Sequence, residues 1–139
     1  MRNPRFADEK NRVLQTVRAT LEKNPSIRFA YVFGSFVTQD HYKDIDIGIF
    51  LGGETADSPL KLELRLESEI QEAVRVPADV RSLNNSPLGF VYNVLKSGVL
   101  LLDRDEAVRV DFEGLTYKRY FDFQHLRKQY LREIINAPV

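Results

Sequence analysis

The sequence predicts an α/β (α+β) fold with a small mixed sheet, helices mainly on one face, and a long C-terminal helix. Short runs rich in β-branched and aromatic residues, such as 27–33, alternate with segments whose apolar residues recur at helical spacing. The chain has 139 residues and is 43% hydrophobic, which suits one domain with a real core. We expect a single domain over 1–139, with its core at about 10–105 and a C-terminal helical segment at about 104–136.

The elements are expected in a fixed order along the chain. Apolar periodicity, turn residues and strand-forming runs predict helix 7–23, strands 27–33 and 44–51, helix 60–74, strand 78–83, helix 88–96, strand 99–102 and helix 104–135. About ten residues join the first two strands, too few for a parallel crossover, so these strands should be antiparallel neighbours. Ser86 is expected to cap the helix that follows it, with Pro87 at the first helical position.

Composition and charge exclude several classes of protein. There are no cysteines, which excludes disulfides and thiolate metal sites, and no apolar run is long enough to span a membrane. Net charge is zero, which argues against strong non-specific nucleic-acid binding. Residues 1–28 carry seven basic and three acidic groups, whereas residues 29–60 carry one basic and five acidic groups. This charge pattern fits a small acceptor or a protein acceptor better than a polynucleotide. The lack of cysteines, of a membrane span and of a secretory signal predicts a cytoplasmic protein by default, and self-association into a homo-oligomer stays open.

The stretch 31–51 contains the pattern with the most chemical content. An apolar run ends at Gly34-Ser35, and a second apolar run begins with Asp44-Ile-Asp46. A glycine lets a phosphate approach the backbone, a serine hydroxyl can bind it, and a helix beginning there would offer free N–H groups to an anion. Alternation along a strand over 44–51 would turn both carboxylates to one face. Such oxygen ligands suit two Mg²⁺ or Mn²⁺ ions that also bind nucleotide phosphates.

A third carboxylate usually completes a two-ion arrangement, and Asp79 is the candidate because it lies on the strand predicted at 78–83. Lys43 and Arg81 flank the carboxylates and could touch phosphate, although a charge beside a carboxylate is more often its ion-pair partner. His41 and His125 are weaker candidates, because one lies in a polar loop and the other in a charged helix.

This combination resembles the Gly-Ser…Asp-x-Asp signature of the DNA polymerase β-like nucleotidyltransferase superfamily, and in particular its minimal nucleotidyltransferase (MNT) family. The specific match lies in Gly34, Ser35, Asp44, Asp46 and Asp79, and the segment 95–103 is similar to the MNT ending. The family usually has ten residues between Gly-Ser and Asp-x-Asp. Here there are eight, 36 to 43, so the tip of this connection is expected to be shortened.

The resemblance implies a nucleotidyltransferase fold and a metal-dependent transfer of a nucleoside monophosphate from a triphosphate such as ATP. Gly34 and Ser35 would hold the triphosphate, Asp44 and Asp46 would hold both ions, and Asp79 would hold the ion that activates the acceptor hydroxyl. MNT proteins are often encoded beside a helical HEPN-class partner and act as antitoxins that adenylylate it, commonly on a tyrosine. The resemblance therefore implies a HEPN-type partner for this chain.

Two other functions stay open from the sequence. One is a binding module that neutralises its partner by contact with an idle site, which the shortened connection and the aromatic last helix favour. The other is a small-molecule nucleotidyltransferase, for example one acting on an antibiotic, which usually carries a further acceptor-binding domain. The apolar surface of the last helix is expected either to pack on its own domain or to bind a partner.

Overall fold

The computed structural model describes residues 2–53 and 58–136. The expected one-domain span of 1–139 therefore includes a few positions outside the described residues. The elements in chain order are α1 (Asp8–Glu22), β1 (Ile27–Phe33), α2 (Ser35–Thr38), β2 (Ile45–Leu51), α3 (Pro59–Val74), β3 (Ala78–Ser82), α4 (Leu88–Ser97), β4 (Val99–Asp103) and α5 (Glu106–Asn136).

One four-stranded mixed sheet has the strand order β3-β2-β1-β4. The strands β1 and β2 are antiparallel neighbours, as predicted from their short connection, and β4 lies antiparallel to β1 on the other side. The strands β2 and β3 are parallel and are connected through α3. The mixed sheet and the long C-terminal helix of the sequence prediction are confirmed.

The larger core lies between one face of the sheet and the helices α1 and α3. Alternate residues of β1, Ala30 and Val32, meet apolar side chains of both helices, among them Val17 and Leu66, which are fully buried. The helices α1 and α3 cover this face and α4 and α5 lie on the other, so the expectation that the helices lie mainly on one face is wrong. The buried aliphatic surface between the sheet and the helices α1 and α3 supplies the main hydrophobic stabilisation of the domain.

The opposite face of the sheet has a smaller aromatic cluster under α4 and the first half of α5. Phe29 is fully buried there, and its ring stacks on Phe50 at a centroid distance of 4.6 Å, while Phe112 of α5 packs against both rings. Arg109 fixes α5 further, because its guanidinium pairs with Asp103 at 2.8 Å. The end of this face near Gly34 carries the acidic residues of the sequence motif.

The helix α5 has 31 residues, about 46 Å of helix. Its first half packs on the domain, and Tyr120 stacks on Tyr92 of α4 at 3.7 Å. Residues 121–136, here called the distal half of α5, are largely exposed. The distal half displays seven large apolar side chains to solvent: Phe121, Phe123, Leu126, Tyr130, Leu131, Ile134 and Ile135.

The predicted cap of α4 is wrong. Pro87 occupies the position before the first helical residue, Leu88, and no side chain caps the helix. The Ser86 hydroxyl instead donates a hydrogen bond to the carbonyl oxygen of Ser82, at 2.7 Å. The serine therefore closes the turn after β3 rather than satisfying an N–H group of the helix.

Candidate functional site

Asp46 and Asp79 lie side by side on adjacent parallel strands. The register of β2 and β3 pairs Asp46 with Asp79, and the register of β1 and β2 pairs Phe33 with Asp46. Directly paired residues of neighbouring strands project to the same face of a sheet, and such strands lie about 4.8 Å apart. The fold therefore brings together two of the three predicted carboxylates, although 33 positions of sequence separate them.

Asp44 lies just before β2, not on it. The sequence predicts a strand from residue 44, whereas β2 begins at Ile45, whose N–H donates to the carbonyl of Pro77 at 2.9 Å. The pairing with β1 ends at Asp46 because β1 ends at Phe33. The Asp44 carboxylate is still close enough to Asp46 to raise its pKa. The loop before β2, and not a strand ladder, thus determines where Asp44 points.

Gly34 is in direct contact with Asp46. Its backbone has φ 78° and ψ −154°, a conformation that strongly favours glycine, and a Cβ built on it would lie 2.3 Å from Asp46 Oδ2. Ser35 follows at the first position of the four-residue helix α2, and it is half-buried. The Gly-Ser turn and the central aspartate of the predicted site are therefore adjacent, as the motif requires.

The electrostatic environment holds the pKa of Asp46 well above its usual range. Burial is the largest cause, the charges of Asp44 and Asp79 add to it, and Arg81 acts in the opposite direction, so that the pKa reaches about 6. Asp44 and Asp79 thus both lie close enough to Asp46 to act on its charge. Mutually repelling carboxylates of this kind are the electrostatic arrangement that a divalent cation relieves.

Asp79 has a cationic partner. Arg81 Nε lies 3.4 Å from Asp79 Oδ2, and the Arg81 guanidinium lies 5.4 Å from the centre of the Phe90 ring. In residues 2–53 and 58–136, no three acidic or histidine side chains stand close enough together to hold one ion. The donor set of Asp44, Asp46 and Asp79 has the hard-oxygen chemistry that Mg²⁺ prefers, and Asp79 must turn from Arg81 to complete it.

Side chains of α3 hold the strand that carries Asp79. The N–H of Ala78 donates to Gln71 Oε1 at 3.0 Å, and the N–H of Ser82 donates to Glu63 Oε1 at 2.8 Å. The eight-residue step from Glu63 to Gln71 spans about 12 Å of helix and the four-residue step from Ala78 to Ser82 about 13 Å of strand, so that the two spacings match. Backbone N–H groups of β3 before and after Asp79, those of Ala78 and Ser82, thus have hydrogen-bond partners on α3. Sequence analysis missed this role, although the i, i+8 spacing of polar residues on α3 is visible.

Glu67 lies between these two α3 residues and near Asp79, at the edge of the sheet. Burial raises its pKa, and the charge of Asp79 raises it further. A cavity of about 410 Å³ opens beside Asp79, and its lining includes Leu60, Glu67, Arg81 and Asn85. Sequence analysis missed Glu67, because only the packing of α3 on β3 brings it to Asp79.

The weaker sequence candidates are separated from the carboxylates or exposed. His41 is exposed in the loop after α2, and Lys43 is exposed one residue before Asp44. His125 lies in the exposed distal half of α5. Arg81 is thus the one basic candidate, among these residues, that the structure places in contact with a predicted metal ligand.

The fold and the arrangement of its acidic residues define a nucleotidyltransferase-type domain. The family model for "Polymerase beta, Nucleotidyltransferase" matches residues 15–107, and the chain belongs to that family. The match includes β1 to β4 and all five residues of the predicted site. A comparison with curated proteins gave no match. In the described part of the chain, no helix has both the length and the apolar character needed to cross a membrane.

Solved structures share this fold. A toxin–antitoxin structure with AMP-PNP matches with a TM-score of 0.70 and 22% identity, over 88% of this chain and 98% of the other. A mutant MntA–HpeT toxin–antitoxin structure matches with a TM-score of 0.70 and 20% identity, over the same shares. A Shewanella oneidensis structure of tri-AMPylated HEPN toxin with MNT antitoxin matches with a TM-score of 0.63 and 20% identity, over 91% and 96%. At these identities the likeness concerns the fold.

Proposed function

We propose that this chain transfers AMP from ATP to a hydroxyl group, that of a tyrosine of a HEPN-type helical partner, and so acts as an antitoxin. The observation that carries the proposal is the contact between Gly34 and Asp46, with Asp46 in register with Asp79. A turn at which a phosphate can approach the backbone and two carboxylates on neighbouring strands therefore belong to one site. The family to which the chain belongs supports the reaction type.

The proposed reaction is a displacement at the α-phosphorus of the nucleotide. The acceptor oxygen forms a new bond to that phosphorus, the bond to the β-phosphate oxygen breaks, and pyrophosphate leaves with its electrons. The hydroxyl proton passes to the carboxylate of Asp79. Gly34 leaves space for the phosphates beside its backbone, and the Ser35 hydroxyl donates a hydrogen bond to them.

Divalent ions fit the donor set of this site. Two Mg²⁺ or Mn²⁺ ions would be held by Asp44 and Asp46, with Asp79 binding one of them, and would neutralise the triphosphate and acidify the acceptor hydroxyl. The raised pKa of Asp46 supports this assignment, because burial and the charges of Asp44 and Asp79 disfavour an unpaired carboxylate there, and a cation would offset both. The side chains themselves orient the nucleotide between Gly34 and the sheet face.

The acceptor is proposed to approach over β3. The cavity of about 410 Å³ beside Asp79 offers room for a side chain such as tyrosine next to the proton-accepting carboxylate. The solved complex of an AMPylated HEPN toxin with an MNT antitoxin supports a helical protein acceptor for a chain of this fold. A cytoplasmic location remains a prediction from the sequence, and it agrees with the use of ATP.

The first test is calorimetric titration of MgATP into the wild type and Asp46→Asn, with and without EDTA. We expect binding that needs the divalent ion and is lost in the variant. Asp40→Asn is a matched control, because Asp40 is an exposed aspartate of the neighbouring loop, and it should bind like the wild type. Label transfer from ATP marked at its α-phosphate to the helical product of an adjacent gene then tests the acceptor.

A second candidate function is neutralisation by contact alone. Two observations favour it. Arg81 pairs with Asp79 and so occupies one of the proposed metal ligands, and the apolar distal half of α5 offers a surface for binding a partner. This alternative predicts that Asp46→Asn still binds and silences the partner. A variant that binds the partner yet fails to silence it would exclude this alternative.

A further inference from the structure

Lys10, near the start of α1, makes two hydrogen bonds to the backbone of the predicted phosphate-binding segment. Its ammonium donates to the carbonyl oxygen of Phe36 and to the carbonyl oxygen of Gln39, each at 2.6 Å. The two contacts cross 26 and 29 positions of sequence. They are short, charge-assisted bonds, which are stronger than bonds between neutral groups.

Three aromatic rings surround the same ammonium group. The distance from Lys10 Nζ to the ring centre is 5.8 Å for Phe6, 5.0 Å for Phe36 and 5.5 Å for Tyr42. The rings also contact one another, since Phe36 lies 5.9 Å from Phe6 and 4.5 Å from Tyr42. Cation–π attraction strengthens when the cation is desolvated, so the rings and the carbonyls together favour one position for the ammonium group.

Lys10 binds carbonyls at the C-terminal end of α2. This helix has only four residues, and its last carbonyls have no partner further along the helix. Lys10 satisfies one of them, that of Phe36, and also the carbonyl of Gln39, the residue that follows the helix. It thereby links α1 to the segment that begins at Gly34-Ser35, whose own backbone bonds run from Val37 and Gln39 back to that turn.

The loop between α2 and β2 has few other anchors. Among the backbone hydrogen bonds that the described residues make outside helices and strands, none involves residues 40–44. The loop also borders a cavity of about 610 Å³, which leaves part of its surface without packing. The contacts that fix it are the Lys10 bond to Gln39 and the packing of Tyr42 on Phe36. Asp44, at the end of this loop, lacks the support of a strand ladder.

We propose that Lys10 is a positioning residue that holds the shortened connection between Gly34 and Asp44 in the form that binds the nucleotide. Its ammonium fixes the first half of this connection, through the carbonyls of Phe36 and Gln39. Without it, Ser35 and Asp44 lose their fixed separation, while the sheet that carries Asp46 and Asp79 keeps its register. This inference rests on the proposed function, because it concerns the same nucleotide site.

Because the chain has no cysteine, a single cysteine introduced at position 10 can be alkylated selectively. Lys10→Cys introduces one thiol, which is alkylated in urea before refolding. Bromoethylamine restores a side chain of lysine length with an ammonium group, and 1-bromopropane gives the same length with a methyl group. Wild type carried through the same steps is the first control. Lys96→Met is the second, since Lys96 lies 5.8 Å from the Tyr92 ring on α4, away from the loop.

Two quantities are measured on each protein: the dissociation constant of Mg–AMP-PNP by calorimetry, and amide hydrogen exchange over residues 36–44. We expect the propyl form to bind at least about tenfold more weakly, because two charge-assisted bonds are lost. We expect its loop to exchange faster while residues of β2 and β3 stay protected. The aminoethyl form should recover both properties, and Lys96→Met should change neither.

The outcomes separate the two proposals. Wild-type affinity and loop protection in the propyl form overturn the positioning role, as does a loss that the aminoethyl form fails to recover. Faster exchange throughout the sheet in the propyl form also overturns it, because Lys10 would then support the whole fold. If the wild type itself binds no nucleotide, the proposed function fails, and loop exchange alone then decides whether Lys10 holds the loop.

Discussion

Gly34 and Asp46 are in contact so close that a single added methyl group at Gly34 would lie 2.3 Å from a carboxylate oxygen of Asp46. The contact joins the end of β1 to the start of β2 across their last registered pair. It keeps the Gly-Ser turn against the central aspartate in this chain, whose connection has eight residues. A shortened connection can therefore leave this part of the site intact.

Replacing Gly34 by alanine should disrupt both the fold and the site. The new Cβ would clash with Asp46, and alanine is strained at φ 78°. We expect the free energy of unfolding to fall by about 1–3 kcal/mol and nucleotide binding to be lost. Urea unfolding and calorimetry measure the two effects. Gly114→Ala is the control, since a Cβ there meets open space in α5 and should stabilise by up to about 1 kcal/mol.

Asp46→Asn should stabilise the metal-free protein above pH 6 while it removes activity. The pKa of Asp46 rises from 3.8 to about 6 on folding, so the folded state binds the proton more tightly than the unfolded state. The associated stability is fully present below about pH 3.8 and is lost as pH rises through about 6. The gain in the variant should be about 1–2 kcal/mol near neutral pH, after discounting for partial exposure.

Chemical unfolding in EDTA at several pH values checks this gain, which should shrink towards pH 4. Asp122→Asn, at an exposed aspartate of α5, is the control and should show no such pH-dependent gain. Equal stability of Asp46→Asn and wild type at neutral pH would mean that neither burial nor the neighbouring carboxylates raise the pKa of Asp46 in the folded chain.

The sequence predicts the strands of the site well and its side-chain pairing poorly. Glycine, short loops and β-branched runs are local signals, and they place β1 and β2 as antiparallel neighbours. The alignment of Asp46 with Asp79 is not local, because it depends on how α3 packs on β3 through Gln71 and Glu63. A resemblance to a family supplied Asp79 where periodicity alone would have left it an ordinary strand residue.

The sequence leaves two roles open for Arg81, contact with phosphate or an ion pair with a neighbouring carboxylate, and the structure shows the ion pair with Asp79. The role of Lys10, by contrast, was missed. Lys10 gives no local signal, since a lysine in the first turn of an amphipathic helix usually faces solvent. Its role becomes visible only when the fold brings Phe36 and Gln39 to it.

Arg81→Gln should strengthen binding of a divalent ion in the absence of nucleotide. The substitution removes the cation that pairs with Asp79, so the carboxylate becomes free to bind an ion together with Asp46. The pair is largely exposed and worth at most about 1 kcal/mol, so the affinity for Mn²⁺ should rise by up to about fivefold. Titration of Mn²⁺ followed by its paramagnetic resonance signal measures this.

Arg119→Gln, in the exposed surface of α5, is the matched control for the loss of one positive charge. It should leave the affinity for Mn²⁺ unchanged. Weaker Mn²⁺ binding in Arg81→Gln than in this control would show that Arg81 supports the carboxylates rather than competing for Asp79.

The distal half of α5 should contribute little to the stability of the free chain. Leu126, Tyr130 and Ile135 are 62%, 64% and 80% exposed, so replacing all three by glutamine removes few contacts. We expect the free energy of unfolding to change by no more than about 0.5 kcal/mol per site. Leu66→Ala, at a fully buried position of α3, should instead cost about 2–5 kcal/mol.

Urea unfolding of both variants decides between a free and a packed distal half. A loss in the triple variant as large as that in Leu66→Ala would mean that this half of the helix packs on the domain in solution. A loss within the expected range means that the exposed apolar side chains of the distal half of α5 do not stabilise this domain. Burial of apolar surface is favourable by about 25 cal/mol per Å², so these side chains can then supply binding energy for a partner.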